Sequence, residues 1–240
     1  MRREARPLLL RVGRYAKGTI AGLACWRFKL PGRDCILVHC GIGLERARAA
    51  AAALMEEANP SVLISFGVSG GVEEDLQVGD VVAAESAVLL ESGHGVLSLS
   101  TLPPSAFQAA ETSVSMRGAR LYRGSVVTTR GAKVRPDQVK DLLHPVLDME
   151  TYGIAQAAAG RVIPLLSLRG LSDSVREPLP FDLAALSDSD HNFRAEKLLL
   201  QVLRHPGLLR RLPRLQENTR RAEENVAAAV TAVLSSPAAS

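Results

Sequence analysis

The 240 residues, 47% of them hydrophobic, are enough to bury one sizeable core and favour a single domain. No apolar run approaches the length needed to cross a bilayer, and arginines interrupt the short leucine run near the N-terminus, which argues against a membrane-spanning protein and against export. The net charge of +4 is concentrated at the two ends of the chain, but only 4% of residues are aromatic and none lies among the C-terminal arginines, so nucleic acid is an unfavoured partner.

Cysteine usage argues against both a disulfide framework and a zinc site. The three cysteines, Cys25, Cys35 and Cys40, are odd in number and show no CxxC spacing. We therefore expect a cytoplasmic protein in a reducing compartment, with no metal and no resident cofactor.

The first part of the chain has the pattern of two strands and a helix. Apolar stretches at 19–30 and 34–40 predict the strands, and the alanine-rich stretch Leu44–Ala58, ended by an Asn-Pro pair, predicts the helix. The turn Gly41-Ile42-Gly43 before this helix leaves backbone N–H groups free to hold an anion, although a tight strand-to-helix turn is the simpler interpretation.

A buried strand is predicted at 61–66, followed by the glycine-rich segment Gly67-Val68-Ser69-Gly70-Gly71. This segment matches the G-x-S-x-G nucleophile elbow, which makes a serine esterase using Ser69 one hypothesis. The elbow needs a helix immediately after the serine, whereas the sequence continues as a loop into another apolar strand at 81–84. The alternative is that the glycines bring the backbone close to a bound ligand.

The segment Pro145–Ser174 carries most of the functional signal. Asp148 and Glu150 stand just before the predicted helix Thr151–Ala159, and Asp173 follows an apolar run typical of a central strand. Carboxylates are rarely buried without a partner, and ligands bind outside the carboxyl ends of strands in open α/β sheets. These acids are therefore candidates for a functional site.

Structural roles remain open for the same residues. Asp148 could cap the helix that follows it, and Arg169 could be the ion-pair partner of Asp173. Neither role by itself explains why the acids gather in one segment.

The rest of the chain is less informative. Further strands are predicted at 86–90, 97–99, 124–129 and 162–168, and a helical region at 192–234 is interrupted at 205–207. Leucines near the start of that helical region form an apolar face among basic residues, for which packing on the core is the default interpretation and peripheral contact with a membrane surface a smaller one. We expect one domain over residues 1–234, with 190–234 as a helical C-terminal extension and 235–240 as a disordered tail.

Four ordered motifs resemble those of one family. Gly41-Ile42-Gly43, then SFGVSGG followed by VGDVV, then LDMET, then SLRGLSDS resemble the nucleoside phosphorylase and nucleosidase family, particularly the methylthioadenosine/S-adenosylhomocysteine nucleosidases. The stretch LPRLQENTRRAEENVAAAV is similar to the hopanoid-associated branch, which is thought to act on adenosylhopane. The resemblance implies an α/β fold, a three-layer α/β/α sandwich with a mixed central sheet, and cleavage of the bond between ribose C1′ and purine N9.

The resemblance also implies roles for the matching residues. Asp173 would be the general acid that protonates the purine at N7, and Glu150 would accept hydrogen bonds from the ribose 2′ and 3′ hydroxyls and offset the developing positive charge. Met149 would lie against the ribose face. The other expected substrate-binding positions are Asp148, Arg169, Ser172, Gly70, Ser69 and Gly43.

The resemblance places the base that activates the nucleophile at the start of the chain. The segment Met-Arg-Arg-Glu-Ala-Arg-Pro-Leu-Leu places Glu4 at the position of the family's water-activating glutamate. The family has a whole strand before this point, so either the true start lies upstream of Met1 or the sheet has lost a strand. In the second case we expect Glu4 to be held poorly.

Two further positions depart from the family pattern. Val68 stands where the family's Gly-Ser-Ala-Gly-Gly loop has a serine, which removes a hydroxyl near the nucleophile. The phenylalanine that commonly stacks on adenine has no clear equivalent in Thr129–Lys133. Adenine is therefore less firmly implied than the reaction itself.

The leading hypothesis is hydrolysis of a 5′-substituted purine nucleoside, such as methylthioadenosine, S-adenosylhomocysteine or adenosylhopane. Phosphorolysis with phosphate as co-substrate is less favoured, because Arg46 is the one arginine close in sequence to the Gly41 turn. A serine esterase and a non-catalytic nucleoside-binding relative are two further hypotheses. The expected partners are the small-molecule nucleoside and a second copy of the chain, forming a dimer.

Overall fold

The structure, a computed structural model, describes residues 2–90, 95–130, 134–178 and 212–236. Its helices are α1 (Arg2–Val12), α2 (Leu44–Ala58), α3 (Pro104–Ser115), α4 (Thr151–Ala159) and α5 (Leu212–Ser235), with a short 3-10 turn at Pro136–Gln138. Its strands are β1 (Ala16–Ile20), β2 (Leu23–Leu30), β3 (Arg33–Val38), β4 (Leu63–Gly71), β5 (Val81–Leu89), β6 (Gly95–Ser98), β7 (Leu121–Thr128), β8 (Pro145–Asp148) and β9 (Leu165–Asp173). None of the helices in this part of the chain combines the length and apolarity that a membrane span needs.

The strands form two sheets. Strands β1, β2 and β3 make a small antiparallel sheet, and the other six make a mixed sheet in the order β6-β5-β7-β8-β4-β9. Strand β5 also pairs with β9, so the mixed sheet closes on itself. The predicted α/β fold with a mixed central sheet is confirmed, and the closure is a feature that the sequence did not indicate.

Alternate residues of the sheet face two separate cores. Val81 and Ala83 of β5 belong to a cluster with apolar residues of α1, α3 and α5, whereas Val82 and Ala84 belong to a cluster with residues of α2 and α4. Because successive side chains of a strand point to opposite faces, the helices cover the sheet from both sides. This arrangement is the three-layer packing expected from the resemblance.

The bounds of the two strands that carry the motif residues differ from the prediction. Both β4 and β9 begin later in the sequence than predicted, and both also end later. Strand β4 continues through the glycine-rich segment to Gly71, and β9 begins at Leu165 and includes Asp173 as its last residue. The predicted start of β9 at Val162 is wrong, because Val162 lies in a turn with φ 57° and 91% of its surface exposed. Helices α2 and α4 have the predicted bounds.

The C-terminal region is described only in part. Residues 192–211, with the apolar face considered for membrane contact, lie outside the described residues. Helix α5 extends to Ser235, and the guanidinium of Arg33 donates hydrogen bonds to the carbonyl oxygens of Leu234 and Ser236 at 2.7 and 2.6 Å. Ser235 is thus the last residue of α5, and Ser236 beyond it is 5% exposed.

Candidate active site

One cavity brings the predicted acids together. It has a volume of about 950 Å³, and Glu4, Glu150 and Asp173 all line it. These acids come from the first turn of α1, the junction between β8 and α4, and the end of β9. The other predicted residues that line the same cavity are Asp148, Met149, Arg169, Ser172, Ser69 and Gly70.

Asp173 is a partly buried carboxyl at the end of β9. Ser172 Oγ donates a hydrogen bond to its Oδ1 at 2.8 Å. Burial raises the pKa of Asp173 to about 6, and the Ser172 hydrogen bond opposes this only in part. A carboxyl with this pKa keeps an appreciable protonated fraction near neutral pH, which is what a general acid needs.

The neighbouring strand leaves room for this carboxyl. The register of β4 against β9 shifts between Ser69 and Gly70, which places Gly70 opposite Asp173. A Cβ at Gly70 would lie 2.7 Å from Asp173 Oδ2, closer than side-chain atoms can approach. The glycine is therefore required for the position that Asp173 occupies.

Glu150 is held by backbone N–H groups at the base of the cavity. Gly43 donates to its Oε1 at 2.9 Å and Met149 to its Oε2 at 3.2 Å. The pKa of Glu150 is raised to about 7, first by burial and then by the charge of Asp148, while Arg169 and the Gly43 N–H oppose the rise. Gly43, a predicted substrate-binding position, contacts Glu150 in this structure through its N–H group at the start of α2.

Glu4 reaches the site from a helix instead of from the end of a strand. Helix α1 packs through Ala5, Leu8 and Leu9, which are all buried. A Cβ at Gly67 would lie 2.7 Å from Arg169 Nη1 and 4.0 Å from Glu4 Oε1, so the carboxylate and the guanidinium both lie over this glycine. Buried side chains of α1 thus anchor the helix that carries Glu4.

Asp148 has both carboxylate oxygens engaged by protein groups. Thr128 Oγ1 donates to Oδ1 at 2.6 Å, and Oδ2 accepts the Thr151 N–H at 2.9 Å and pairs with Arg169 Nη2 at 2.9 Å. The contact with the Thr151 N–H is a helix-capping interaction at the start of α4. Asp148 therefore lines the cavity while its carboxylate supports the start of α4, and Arg169 pairs with Asp148 instead of with Asp173.

Ser69 does not have the geometry of an esterase nucleophile. It lies inside β4, 5% exposed, and its Oγ has no hydrogen-bond partner among the described residues. The chain continues from Gly71 through a loop into β5, so the helix that a nucleophile elbow requires is missing there. The structure gives no support to the esterase hypothesis.

The cavity extends beyond the acids as an apolar arm, which sequence reasoning missed. We use this name for the part lined by Ala47, Ala50, Ala51 and Leu54 of α2, Ile64 and Phe66 of β4, and Val230 and Leu234 of α5. A strand rises about 3.3 Å per residue, so the wall from Gly67 beside the acids to Val62, just before β4, is about 16 Å long. The helical spacing of Ala47, Ala50 and Ala51 in the sequence was the available signal that these residues lie on one face of α2.

One group of metal-ligating side chains lies elsewhere in the described part of the chain. Ligand atoms of Glu73, Asp75 and His144 lie within 4.8 Å of one another, and His144 Nδ1 lies 2.9 Å from the Arg123 carbonyl oxygen. None of the three ligand residues lines the cavity. The residues around the cavity carry carboxyl, guanidinium, hydroxyl, thiol and apolar groups, and the carboxyl groups are suited to acid–base chemistry on an organic ligand.

The fold consists of a closed mixed sheet with helices on both faces, and acidic residues line its main cavity. A family model described as "Phosphorylase superfamily" matches residues 9–204, and the chain belongs to that family. It is 28% identical over 180 residues to the 5′-methylthioadenosine/S-adenosylhomocysteine nucleosidase of Marinomonas sp. (strain MWYL1), and 29% identical over 181 residues to that of Shewanella halifaxensis (strain HAW-EB4). Each match covers 68% of this chain, and 78% and 79% of the respective relatives.

Solved structures have a similar fold. A 5′-methylthioadenosine/S-adenosylhomocysteine nucleosidase from Neisseria meningitidis, in complex with methylthio-immucillin-A, matches with a TM-score of 0.71 at 17% identity, over 98% of this chain and 95% of that one. Futalosine hydrolase of Helicobacter pylori strain 26695 matches with a TM-score of 0.69 at 13% identity, over 98% and 94%. At these identities the likeness establishes the fold alone.

Proposed function

We propose that this protein cleaves the N-glycosidic bond of a 5′-substituted adenosine and releases the base. The observation that carries the proposal is that Asp173, Glu150 and Glu4 line one cavity from three distant parts of the chain. The names of the related proteins, which are nucleosidases of methylthioadenosine and S-adenosylhomocysteine, support an adenosine derivative as the substrate.

Asp173 supplies the proton for the leaving base. The purine anion is a poor leaving group unless N7 is protonated. A carboxylic acid beside the base can donate that proton, which contributes roughly 10²–10⁴-fold to the rate. The raised pKa of Asp173 supports this role, because an ordinary aspartate would be almost fully ionised at neutral pH.

Glu150 binds and stabilises the ribose. As the glycosidic bond breaks, the ribose acquires positive charge, and a carboxylate that accepts hydrogen bonds from its hydroxyls stabilises that charge. The Gly43 and Met149 N–H groups hold the Glu150 carboxylate from the protein side, which supports a fixed orientation toward the sugar.

Glu4 and Arg169 act on the attacking nucleophile. Both side chains lie beside Gly67, in the cavity that Glu150 also lines. In this proposal Glu4 accepts a proton from a water molecule as the water attacks C1′, and Arg169 fixes the orientation of the Glu4 carboxylate. A base positioned in this way would supply a further part of the rate enhancement.

The charges on the cavity wall support water as the nucleophile over phosphate. Five acidic residues line the cavity against two arginines, Arg33 and Arg169, and Arg169 Nη2 already contacts Asp148 at 2.9 Å and Ser65 at 2.7 Å. A phosphate dianion is bound best by several converging cationic donors, and the acids would repel it. Hydrolysis is therefore preferred to phosphorolysis.

The apolar arm supports an apolar group at the 5′ position. A nucleoside fills only part of a cavity of about 950 Å³, and the apolar residues of the arm would desolvate the charged amino-acid group of S-adenosylhomocysteine. A long hydrocarbon substituent, as in adenosylhopane, would instead bury apolar surface along the arm. We propose that such apolar 5′ substituents are preferred.

The test is release of free base from a panel of nucleosides. Methylthioadenosine, S-adenosylhomocysteine and an adenosine with a long 5′ alkyl chain are incubated with the protein, with and without phosphate. We expect adenine release without phosphate, and a higher kcat/KM for the apolar substituents than for S-adenosylhomocysteine. A strict requirement for phosphate would contradict hydrolysis, and no release from any of these nucleosides would contradict the proposal as a whole.

A further inference from the structure

The hydroxyl of Thr128 joins three elements around Glu150. Thr128 is the last residue of β7 and is completely buried. Its Oγ1 donates a hydrogen bond to Asp148 Oδ1 at 2.6 Å and accepts one from the N–H of Tyr152 at 3.0 Å. Asp148 and Tyr152 are the second neighbours of Glu150 along the chain, so one hydroxyl fixes the backbone on both sides of it.

The second oxygen of Asp148 completes this attachment. Asp148 Oδ2 accepts the N–H and the hydroxyl of Thr151, and it pairs with Arg169 Nη2. Arg169 Nη2 also donates to Ser65 Oγ at 2.7 Å on β4. Thr128, Asp148, Thr151 and Arg169 are at most 6% exposed, so each hydrogen bond is made where water cannot replace it.

The first turn of α4 holds the backbone of Glu150, because its carbonyl oxygen accepts the N–H groups of Gly153 at 3.0 Å and Ile154 at 3.3 Å. Its carboxylate accepts hydrogen bonds from Gly43 and Met149, and these act on the end of the side chain. The path of the chain at Glu150 is therefore set by the start of α4, which is attached to the rest of the fold through Asp148 on one side and through Thr151 and Tyr152 on the other. A catalytic carboxylate that moves by about 1 Å can lose much of its effect.

We propose that Thr128 is a positioning residue that sets the selectivity of Glu150 for the ribose hydroxyls. The inference rests on the proposed function, in which Glu150 binds the 2′ and 3′ hydroxyls. Thr128 does not line the cavity, so its effect on substrate passes through Asp148 and the backbone around Glu150. Neither the sequence motifs nor the related proteins' names assign it a role.

The test compares Thr128→Val with Thr128→Ser. Valine keeps the shape of the side chain but leaves Asp148 Oδ1 without this donor and the Tyr152 N–H without this acceptor, whereas serine keeps the hydroxyl. Calorimetry measures the affinity for 5′-methylthioadenosine and for its 2′-deoxy analogue, and kcat and KM are measured for both. We expect Thr128→Val to reduce the preference for the 2′-hydroxyl by about tenfold, and Thr128→Ser to keep it within about twofold of the unmodified protein.

A purely structural role would lower the melting temperature without changing this ratio, so a folded Thr128→Val protein with an unchanged ratio would overturn the inference. If Thr128→Val does not fold, the ratio of the two affinities is measured for Thr151→Val, which removes a different hydroxyl donor from the Asp148 carboxylate. An unchanged ratio in that variant would also overturn the inference. The affinity ratio requires no turnover. A protein that binds both nucleosides but releases no base would therefore contradict the proposed function while leaving this test decisive.

Discussion

Gly70 and Asp173 face each other across the β4–β9 pair at a distance that only glycine allows. A Cβ at Gly70 would lie 2.7 Å from Asp173 Oδ2 and 3.4 Å from its Cγ. The register shift between Ser69 and Gly70 creates this relationship. The position of the candidate general acid thus depends on the backbone of the glycine-rich segment.

The first prediction follows from this contact. Gly70→Ala should push the Asp173 carboxyl out of position and lower kcat for base release by about tenfold or more, because a general acid must be well placed to contribute. Gly160→Ala is the matched control, since a Cβ at Gly160 would meet its nearest atom at 3.7 Å. We expect the control to retain normal activity, and equal losses in both variants would show that the Gly70 contact is unimportant.

The second prediction concerns the pH dependence of kcat/KM. Asp173, with its pKa raised to about 6, acts while protonated, and Glu150, with its pKa raised to about 7, acts while ionised. Above about pH 7 kcat/KM should fall because too little Asp173 is protonated. Below about pH 6 it should fall because too little Glu150 is ionised, so the pH profile of kcat/KM is a narrow bell. Glu150→Gln should remove the acidic limb of the profile. A rate that is flat from pH 5 to 8 would contradict these assignments.

The third prediction is that the general acid lowers the stability of the fold. The pKa of Asp173 is higher in the folded state, about 6 against an ordinary 3.8, so the protein loses stability as the pH rises from about 4 to about 6. Asp173→Asn removes the buried charge and should raise the melting temperature at pH 7.5 by about 2–4 °C, with no such gain at pH 4. Asp137→Asn is the control, because Arg135 lowers the pKa of Asp137 and its loss should bring no gain. A melting temperature that drops for Asp173→Asn at pH 7.5 would argue against an unpaired buried charge.

The fourth prediction concerns the apolar arm. Ala51 is 7% exposed and lines the cavity, so Ala51→Phe should block the arm with a large ring. We expect KM to rise by about tenfold or more for an adenosine with a long 5′ alkyl chain and to change little for methylthioadenosine. Ala49→Phe, at an exposed position of the same helix, should leave both substrates unaffected. Equal losses for both substrates would place the 5′ group outside the arm.

The sequence was most informative where periodicity or a motif acts locally. The bounds of α2 and α4 follow from their small-residue helical patterns, and Asp173 and Glu150 stand out as acids beside apolar runs. It was least informative about β4, because glycines usually end a strand and here they allow close approach of Asp173 and Arg169. That contact depends on the register between two strands about a hundred residues apart, which no local pattern encodes.

Other features depend on the assembled fold. The role of Asp148 could not be decided from sequence, since its partner Thr128 lies at the end of another strand. The position of Glu4 depends on how α1 packs, not on the strand that the family pattern places before it. The apolar arm requires α2, β4 and α5 to come together. The alanines of α2 are consistent with a packed helix face, but by themselves they do not indicate the apolar arm.

The most direct test of the central claim is the rate of adenine release from methylthioadenosine by Asp173→Asn, measured together with the affinity for that nucleoside. Asparagine keeps the size of the side chain but cannot donate a carboxyl proton, so we expect kcat to fall by roughly 10²–10⁴-fold while the affinity changes by less than about fivefold. A variant that retains near-normal kcat would contradict the assignment of Asp173 as the general acid and, with it, the proposed mechanism.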